Sequence, residues 1–404
     1  MPKPKYRVLF VATHPVQYAA PMFRQMAQHP KFDVQIAYCS LQGAEASLDH
    51  EFGVEVKWDL PLLEGYPWVH VANKSPWPGV GRFWGLINPG LWKLVPGGYD
   101  AVVMYTGYMH ASFWIVAAVA KLQGVPILFS TDATGINPRS GKRWKVWVKK
   151  VALPIVYRVA TVVLPGSAAG AEYVRNLGMP SERIVVAPFV VDNEYWSSRA
   201  AKVDRAAARS ALGCGDGEPM VLFCAKLQPW KRPQDVLRAF ARADVHGARL
   251  VMAGEGPMRT ELEAEAKSLK VAERVRFAGF VNQSELPALY RSADIMVLPS
   301  EYDPCPVVVC EAMLCGCPVI LSDRVRGRRE LVSPEQNGCL FPCGDIESLA
   351  GILRRLLQSP TSLRRMGQAA RDRMASWTPH ENIEALVQAV ERACHGKMAR
   401  KEPL

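Results

Sequence analysis

Short apolar runs alternate with stretches of three- and four-residue apolar spacing along most of the chain. The runs YRVLFVA (6–12), DVQIAYC (33–39), AVVMYT (101–106), PILFST (126–131) and TVVLPG (161–166) predict strands, with helical patterns such as APMFRQMAQH and SFWIVAAVAKLQG between them. A second series starts near residue 219 with PMVLFCA. Helix PQDVLRAFARA, strand ARLVMAG, helix MRTELEAEAKSLK, strand RVRFAGF, helix SELPALYRSA and strand DIMVLPS follow. Helix VVVCEAMLCG, strand CPVILS and helix DIESLAGILRRLLQ close it. Alternation of this kind predicts parallel sheets with helices on both faces. Two series predict two doubly wound α/β domains, with residues 192–219 as the connection.

Length agrees with that division, because 404 residues exceed the ~250–300 at which a single core stops growing. A hydrophobic share of 49% and a charged share of 22% place the chain among soluble globular proteins. No stretch approaches the ~18 apolar residues of a membrane span, and the longest candidate, ASFWIVAAVA, is stopped by Lys121. The basic-then-apolar start MPKPKYRVLFVA is too short for a secretion signal, and His14 and Pro15 stand where small residues would be cleaved, so a first strand is expected there. The ten cysteines include Cys305, Cys310, Cys315 and Cys317, without the C-x2-C pairs of a metal site. They read as reduced, buried thiols of a cytoplasmic protein, and no metal or other cofactor is expected. The net charge of +11 favours anionic partners.

In doubly wound sheets ligands bind beyond the carboxyl ends of the strands. Four segments of the second series fall there. In CAKLQPWKRPQ, Lys226 and Lys231 precede a helix, and cations beside a helix N-terminus make an anion site. In AGEGPM, Gly254 and Gly256 allow a sharp turn and a close approach by a ligand. In VRFAGFVNQSEL, the backbone around Phe280 and Val281 suits the edge of a flat heterocycle, with Ser284 as cap of the next helix. In SEYDPCPVVVCEAML, Asp303 lies in a loop and Glu311 in a helix, while Val307 and Val308 offer the free N–H groups of its first turn. A buried carboxylate costs several kcal/mol unless it is partnered or neutralised. Glu311 therefore needs ligand hydroxyls, or Lys231, or both.

These segments together resemble the retaining GT-B-fold glycosyltransferases of family 4. The likeness runs through K-L-x3-K at 226–231, G-E-G-P at 254–257, V-R-F-A-G at 275–279 and P-S-E-Y-D-P-C-P-V-V-V-C-E-A-M-L-C-G-C-P-V at 299–319. NGCLFPCGDIESLAGIL and the tryptophan of ASWTPHENI fit the same family's C-terminal part. The resemblance implies two Rossmann-like domains facing a central cleft. Residues 1–191 would form the acceptor side and 192–375 the nucleotide-sugar side, with a helix at 376–396 packing back on the first domain. It implies that Lys226 and Lys231 bind the donor diphosphate, that the backbone near Phe280 contacts the base, that Glu311 binds the ribose and that Asp303 contacts the donor sugar. Asp303 takes this place rather than Glu301 because it lies eight residues before Glu311.

The chain departs from the family at several points. Arg232 stands where the family has glycine, and Pro304 and Pro306 replace loop glycines. The family's glycine-rich first loop is replaced by THPVQYAAP, which makes His14 and Gln17 acceptor-side candidates. The family's histidine falls at Asp132, a third candidate.

The expected activity is transfer of a sugar from a nucleotide-sugar donor to a saccharide or lipid-linked acceptor in envelope polysaccharide or glycolipid synthesis. It is expected to be metal-independent, because the lysines and helix N–H groups meet the leaving group's charge and no D-x-D motif follows a strand. The alternatives are a sugar-nucleotide epimerase of the same fold and an inactive nucleotide-binding scaffold. Residues 137–160 place seven Lys/Arg around two tryptophans, and 75–99 add three more tryptophans. That composition suits an anionic membrane surface at the inner face of the cell membrane. No nucleic-acid module accompanies the positive charge.

Overall fold

The structure, a computed structural model, describes residues 5–49, 51–136 and 143–398. The chain divides into two compact units. The first is drawn from the stretch up to Ala46, from Pro61–Phe189 and from Pro379 onward; the second comprises Ser47–Leu60 and Val190–Thr378.

The first unit opens with β1 (Tyr6–Ala12), α1 (Ala19–Gln28) and β2 (Phe32–Tyr38). The chain next forms the antiparallel hairpin β3 (Ser47–Asp49) and β4 (Val54–Val56), which belongs to the second unit. It returns with β5 (Trp68–His70), α2 (Leu91–Leu94), β6 (Ala101–Tyr105), α3 (Ala111–Leu122) and β7 (Ile127–Thr131). There follow α4 (Arg143–Val159), β8 (Val162–Pro165) and α5 (Ala168–Asn176). The parallel sheet runs β5-β2-β1-β6-β7-β8. Its central strands are covered on both faces, so β1 is buried without alternation from Val8 to Ala12. Leu9, Val11, Met104, Phe129 and Tyr157 lie in the core of this unit.

The second unit continues with α6 (Asn193–Ala201), α7 (Arg205–Ala211), β9 (Met220–Cys224), α8 (Pro233–Ala243), β10 (Arg249–Ala253), α9 (Arg259–Ser268) and β11 (Val275–Gly279). Next come α10 (Leu286–Ser292), β12 (Ile295–Leu298), α11 (Val307–Leu314) and β13 (Val319–Ser322). It ends with α12 (Arg328–Leu331), β14 (Gly338–Phe341), α13 (Ile346–Leu357) and α14 (Pro360–Met374). Its parallel sheet runs β11-β10-β9-β12-β13-β14. The long helix α15 (Pro379–Met398) belongs to the first unit and packs on α1, β6, β7 and β8.

Every strand predicted from an apolar run is present, with ends displaced by two residues at most. The segment expected as a plain connection instead holds α6 and α7. Asp192 and Asp204 cap them, accepting bonds from the amides of Tyr195 and Ala207 at 3.1 Å each. Both helices pack on α10. The unit boundary falls at 189/190 rather than 191/192. The terminal helix runs Pro379–Met398 rather than 376–396, and Ser47–Leu60 goes to the second unit because its hydrogen bonds are made there.

Candidate functional site

In the second sheet the chain fills positions from β9 outward to β11, then crosses to β12 on the other side of β9. The topological switch point is therefore β9/β12, where such sheets leave a crevice beyond the strand ends. The loop after β9 carries Lys226 and Lys231; the loop and helix after β12 carry Asp303 and Glu311.

Lys231 ends a short 3-10 turn, Pro229–Lys231. Arg232 then takes a left-handed conformation at φ 53° and ψ 47°, so this residue sits where glycine is the comfortable choice. The strain, of order 1 kcal/mol, is offset by a bidentate pair. The Arg232 guanidinium donates to both oxygens of Asp235, at 2.5 and 3.2 Å, and Asp235 is fully buried in the first turn of α8. Gly254 (φ 136°) and Gly256 (φ 155°) brace the same loop. A Cβ on Gly254 would stand 2.0 Å from the Ala225 carbonyl oxygen, and one on Gly256 2.5 Å from that of Leu227. What comes close to these glycines is the chain's own backbone on either side of Lys226, tied by Leu227 N–H to Glu255 O at 2.9 Å.

The two loops meet through backbone and side chain. Glu301 N–H donates to Trp230 O at 2.8 Å, and Lys231 Nζ donates to Asp303 Oδ2 at 2.6 Å. Asp303 is buried, whereas the Glu301 side chain is 65% exposed and lies 3.9 Å from Arg232. The ion pair thus involves Asp303, at the register singled out in the sequence.

Glu311 is buried in α11, and its partner is a hydroxyl: Tyr290 Oη donates to Oε2 at 2.9 Å. Of the partners the sequence left open, Lys231 is bonded to Asp303 instead. Burial pushes the Glu311 carboxyl up to about 7, the Tyr290 bond lowering it only in part. Tyr290 is itself fixed by Cys224 Sγ at 3.5 Å and by the Trp196 ring, edge-on at 5.8 Å. Tyr290 was not foreseen. Leu286, Leu289 and Tyr290 share a buried helix face, and spacing alone marks that face only as core.

Two further expectations need correction. Val307 N–H is not free, since it donates to Cys305 O at 2.9 Å; Val308, second in α11, is among the amides a helix start leaves without an intrahelical acceptor. Ser284 does not cap α10, which begins at Leu286; its amide donates to Asp59 of the hairpin at 3.2 Å. Phe280 and Val281 lie in the loop after β11, and the Phe280 ring packs on Phe52 and Trp58 of the hairpin segment, centroids 5.2 and 5.8 Å away. Lys226 Nζ donates to Asp49 at 3.0 and 3.1 Å and to Glu51 Oε2 at 2.9 Å. No signal in the sequence pointed to Asp49 or Glu51.

In the first sheet the switch point is β1/β6. His14 and Gln17 lie half-buried in the loop after β1, and Asp132 is exposed directly after β7. His110 precedes α3, with its Nε2 2.8 Å from Val80 O. The ten cysteines are free thiols, and no group of metal-ligating side chains occurs among the described residues. Burial pushes the Cys310 thiol up to about 12.

The sequence profile of the glycosyl transferase 4-like domain matches residues 15–189, and that of glycosyl transferases group 1 matches residues 204–373. A D-inositol 3-phosphate glycosyltransferase of Nocardia farcinica is 33% identical over 333 residues, which are 76% of this chain and 70% of the relative. The chain belongs to the glycosyl transferases group 1 family. An uncharacterized glycosyltransferase of Methanocaldococcus jannaschii is 39% identical over 150 residues. That stretch is 37% of this group 1 chain and only 38% of the relative's length. Among solved structures, Anabaena Alr3699/HepE in complex with UDP and glucose matches with a TM-score of 0.73 at 19% identity, covering 96% of this chain and 99% of that one. The shared fold is GT-B, built of two Rossmann-like domains.

Proposed function

We propose that the protein is a retaining, metal-independent glycosyltransferase that moves a sugar from a nucleotide-sugar donor to a saccharide or lipid-linked acceptor. Its place is envelope polysaccharide or glycolipid synthesis. The carrying observation is the arrangement across the β9/β12 switch point, where a lysine of the loop after β9 is held by a buried aspartate whose own loop leads into a helix bearing a second buried carboxyl. The Anabaena neighbour's complex with UDP and glucose supports the donor class.

In this reading the diphosphate lies against Lys226, Lys231 and the Val308 amide, with Val307 lining the helix start and Gly254 keeping the loop tight. The base meets the backbone at Phe280 and Val281, and Glu311 takes the ribose hydroxyls. Asp303 takes a hydroxyl of the donor sugar while orienting Lys231. As the bond from the anomeric carbon to the diphosphate oxygen breaks, negative charge grows on the leaving group beside fixed cations and helix N–H groups. Preorganised charge of this kind is commonly the largest catalytic contribution. His14, Gln17 and Asp132 are assigned to the acceptor side.

A peripheral membrane site is assigned to α4. Trp147, Val151 and Ile155 recur every four residues and are 55–70% exposed, with Lys150 and Arg158 also exposed. An apolar stripe bordered by cations suits an anionic interface. The basic residues at 137–142 lie outside the described residues. No described helix is long and apolar enough to cross a membrane.

The test is incubation with nucleotide sugars and a lipid or saccharide acceptor in excess EDTA, with the product's anomeric configuration read by NMR. A glycoside with the donor's configuration is expected. An inverted product, or an epimerised sugar formed without acceptor, would contradict the proposal.

A further inference from the structure

The hairpin Ser47–Leu60 lies on the residues assigned to the donor. Lys226 is bonded to both oxygens of Asp49 and to Glu51, so two carboxylates face one ammonium. The Asp49 carboxyl is pushed up by burial, but the Phe52 amide and Lys226 outweigh this and hold it below its ordinary value, so it is ionised at neutral pH. The Lys226 ammonium also lies 4.5 Å from the centre of the Phe52 ring. Gln228 donates to the Glu51 carbonyl. Phe52 then meets Phe280 edge-on with centroids 5.2 Å apart, a spacing that leaves no room for a base between the rings. Asn282 Nδ2 donates to Lys57 O at 2.9 Å, and the Ser284 amide and hydroxyl donate to Asp59.

Carboxylates at a lysine and aromatic rings at the adjoining loop reproduce the two halves of a nucleoside diphosphate, an anion and a flat hydrophobe. The hairpin has three-residue strands. A two-stranded hairpin of that size is marginal by itself, so it is held mainly by these contacts and is free to detach when they are lost. From this geometry we infer that the hairpin is an internal competitor of the donor: an autoinhibitory strap that a nucleoside diphosphate displaces from Lys226 and Phe280. The inference rests on the donor-site reading above.

Calorimetric titration of UDP into wild type, Asp49→Asn/Glu51→Gln and Lys226→Met tests it. Asparagine and glutamine keep the turn's hydrogen-bond acceptors and remove the charge. The double variant is expected to bind UDP about tenfold more tightly, the factor for a site that wild type leaves open about a tenth of the time. Amide hydrogen exchange across 51–59 is expected to quicken when UDP saturates wild type. Unchanged or weaker UDP binding by the double variant, with weaker binding by Lys226→Met, overturns the strap and leaves the donor site standing. UDP affinity of the double variant indifferent to a further Lys226→Met overturns the donor-site reading, and the strap with it.

Discussion

Glu311 is a carboxyl in an otherwise apolar helix, with the Tyr290 hydroxyl as its hydrogen-bond partner. Its native value of about 7 lies above the ordinary 4.5. Stability from the protonated form is therefore fully present below 4.5 and lost as pH rises through 7, a loss of about 3 kcal/mol. Glu311→Gln is expected to match wild type in denaturant unfolding near pH 4 and to exceed it by about that amount at pH 8; parallel pH profiles would contradict the burial argument. The need for a partner at Glu311 was legible in the sequence, because an acid in an apolar run is costly. Its identity was not, since Tyr290 reaches it from a different helix. Asp303 was singled out by register alone, and the structure adds its burial and its bond to Lys231, which no register announces.

The helices and strands differ in how openly they declare themselves. Strands buried on both faces show as uninterrupted apolar runs. By contrast β3 and β4 are three residues each and pair only with one another, and the alternation Val54-Glu55-Val56 is too short to stand out as a strand signal. Helices α6 and α7 did carry a readable signal, the aspartates that cap them, obscured by the long polar stretch around them. On α4 the two faces are distinct: Leu153, Val156 and Tyr157 are buried, while Trp147 and Ile155 are 70% and 60% exposed. Trp147→Glu/Ile155→Glu changes only the solvent face. The protein is expected to co-sediment with phosphatidylglycerol vesicles and not with phosphatidylcholine vesicles, and the double variant is expected to remain in the supernatant. Equal sedimentation of variant and wild type would remove α4 as the membrane site.

At the scale of the molecule, the second of two doubly wound sheets places every assigned donor residue beyond the ends of β9, β10, β11 and β12. That arrangement was legible because the strand–helix alternation sets the topology and the topology sets the switch point. The positive charge of the chain, +11, adds a long-range attraction for anionic ligands but selects none. In the proposed reading selection falls to Lys231, which Asp303 fixes in the loop after β9. The most direct measurement is the dissociation constant of UDP for wild type and for Lys231→Met. A weakening of about a hundredfold, near 3 kcal/mol, is expected from the loss of a charge-assisted phosphate contact; equal affinities would contradict the assignment of the diphosphate to this site.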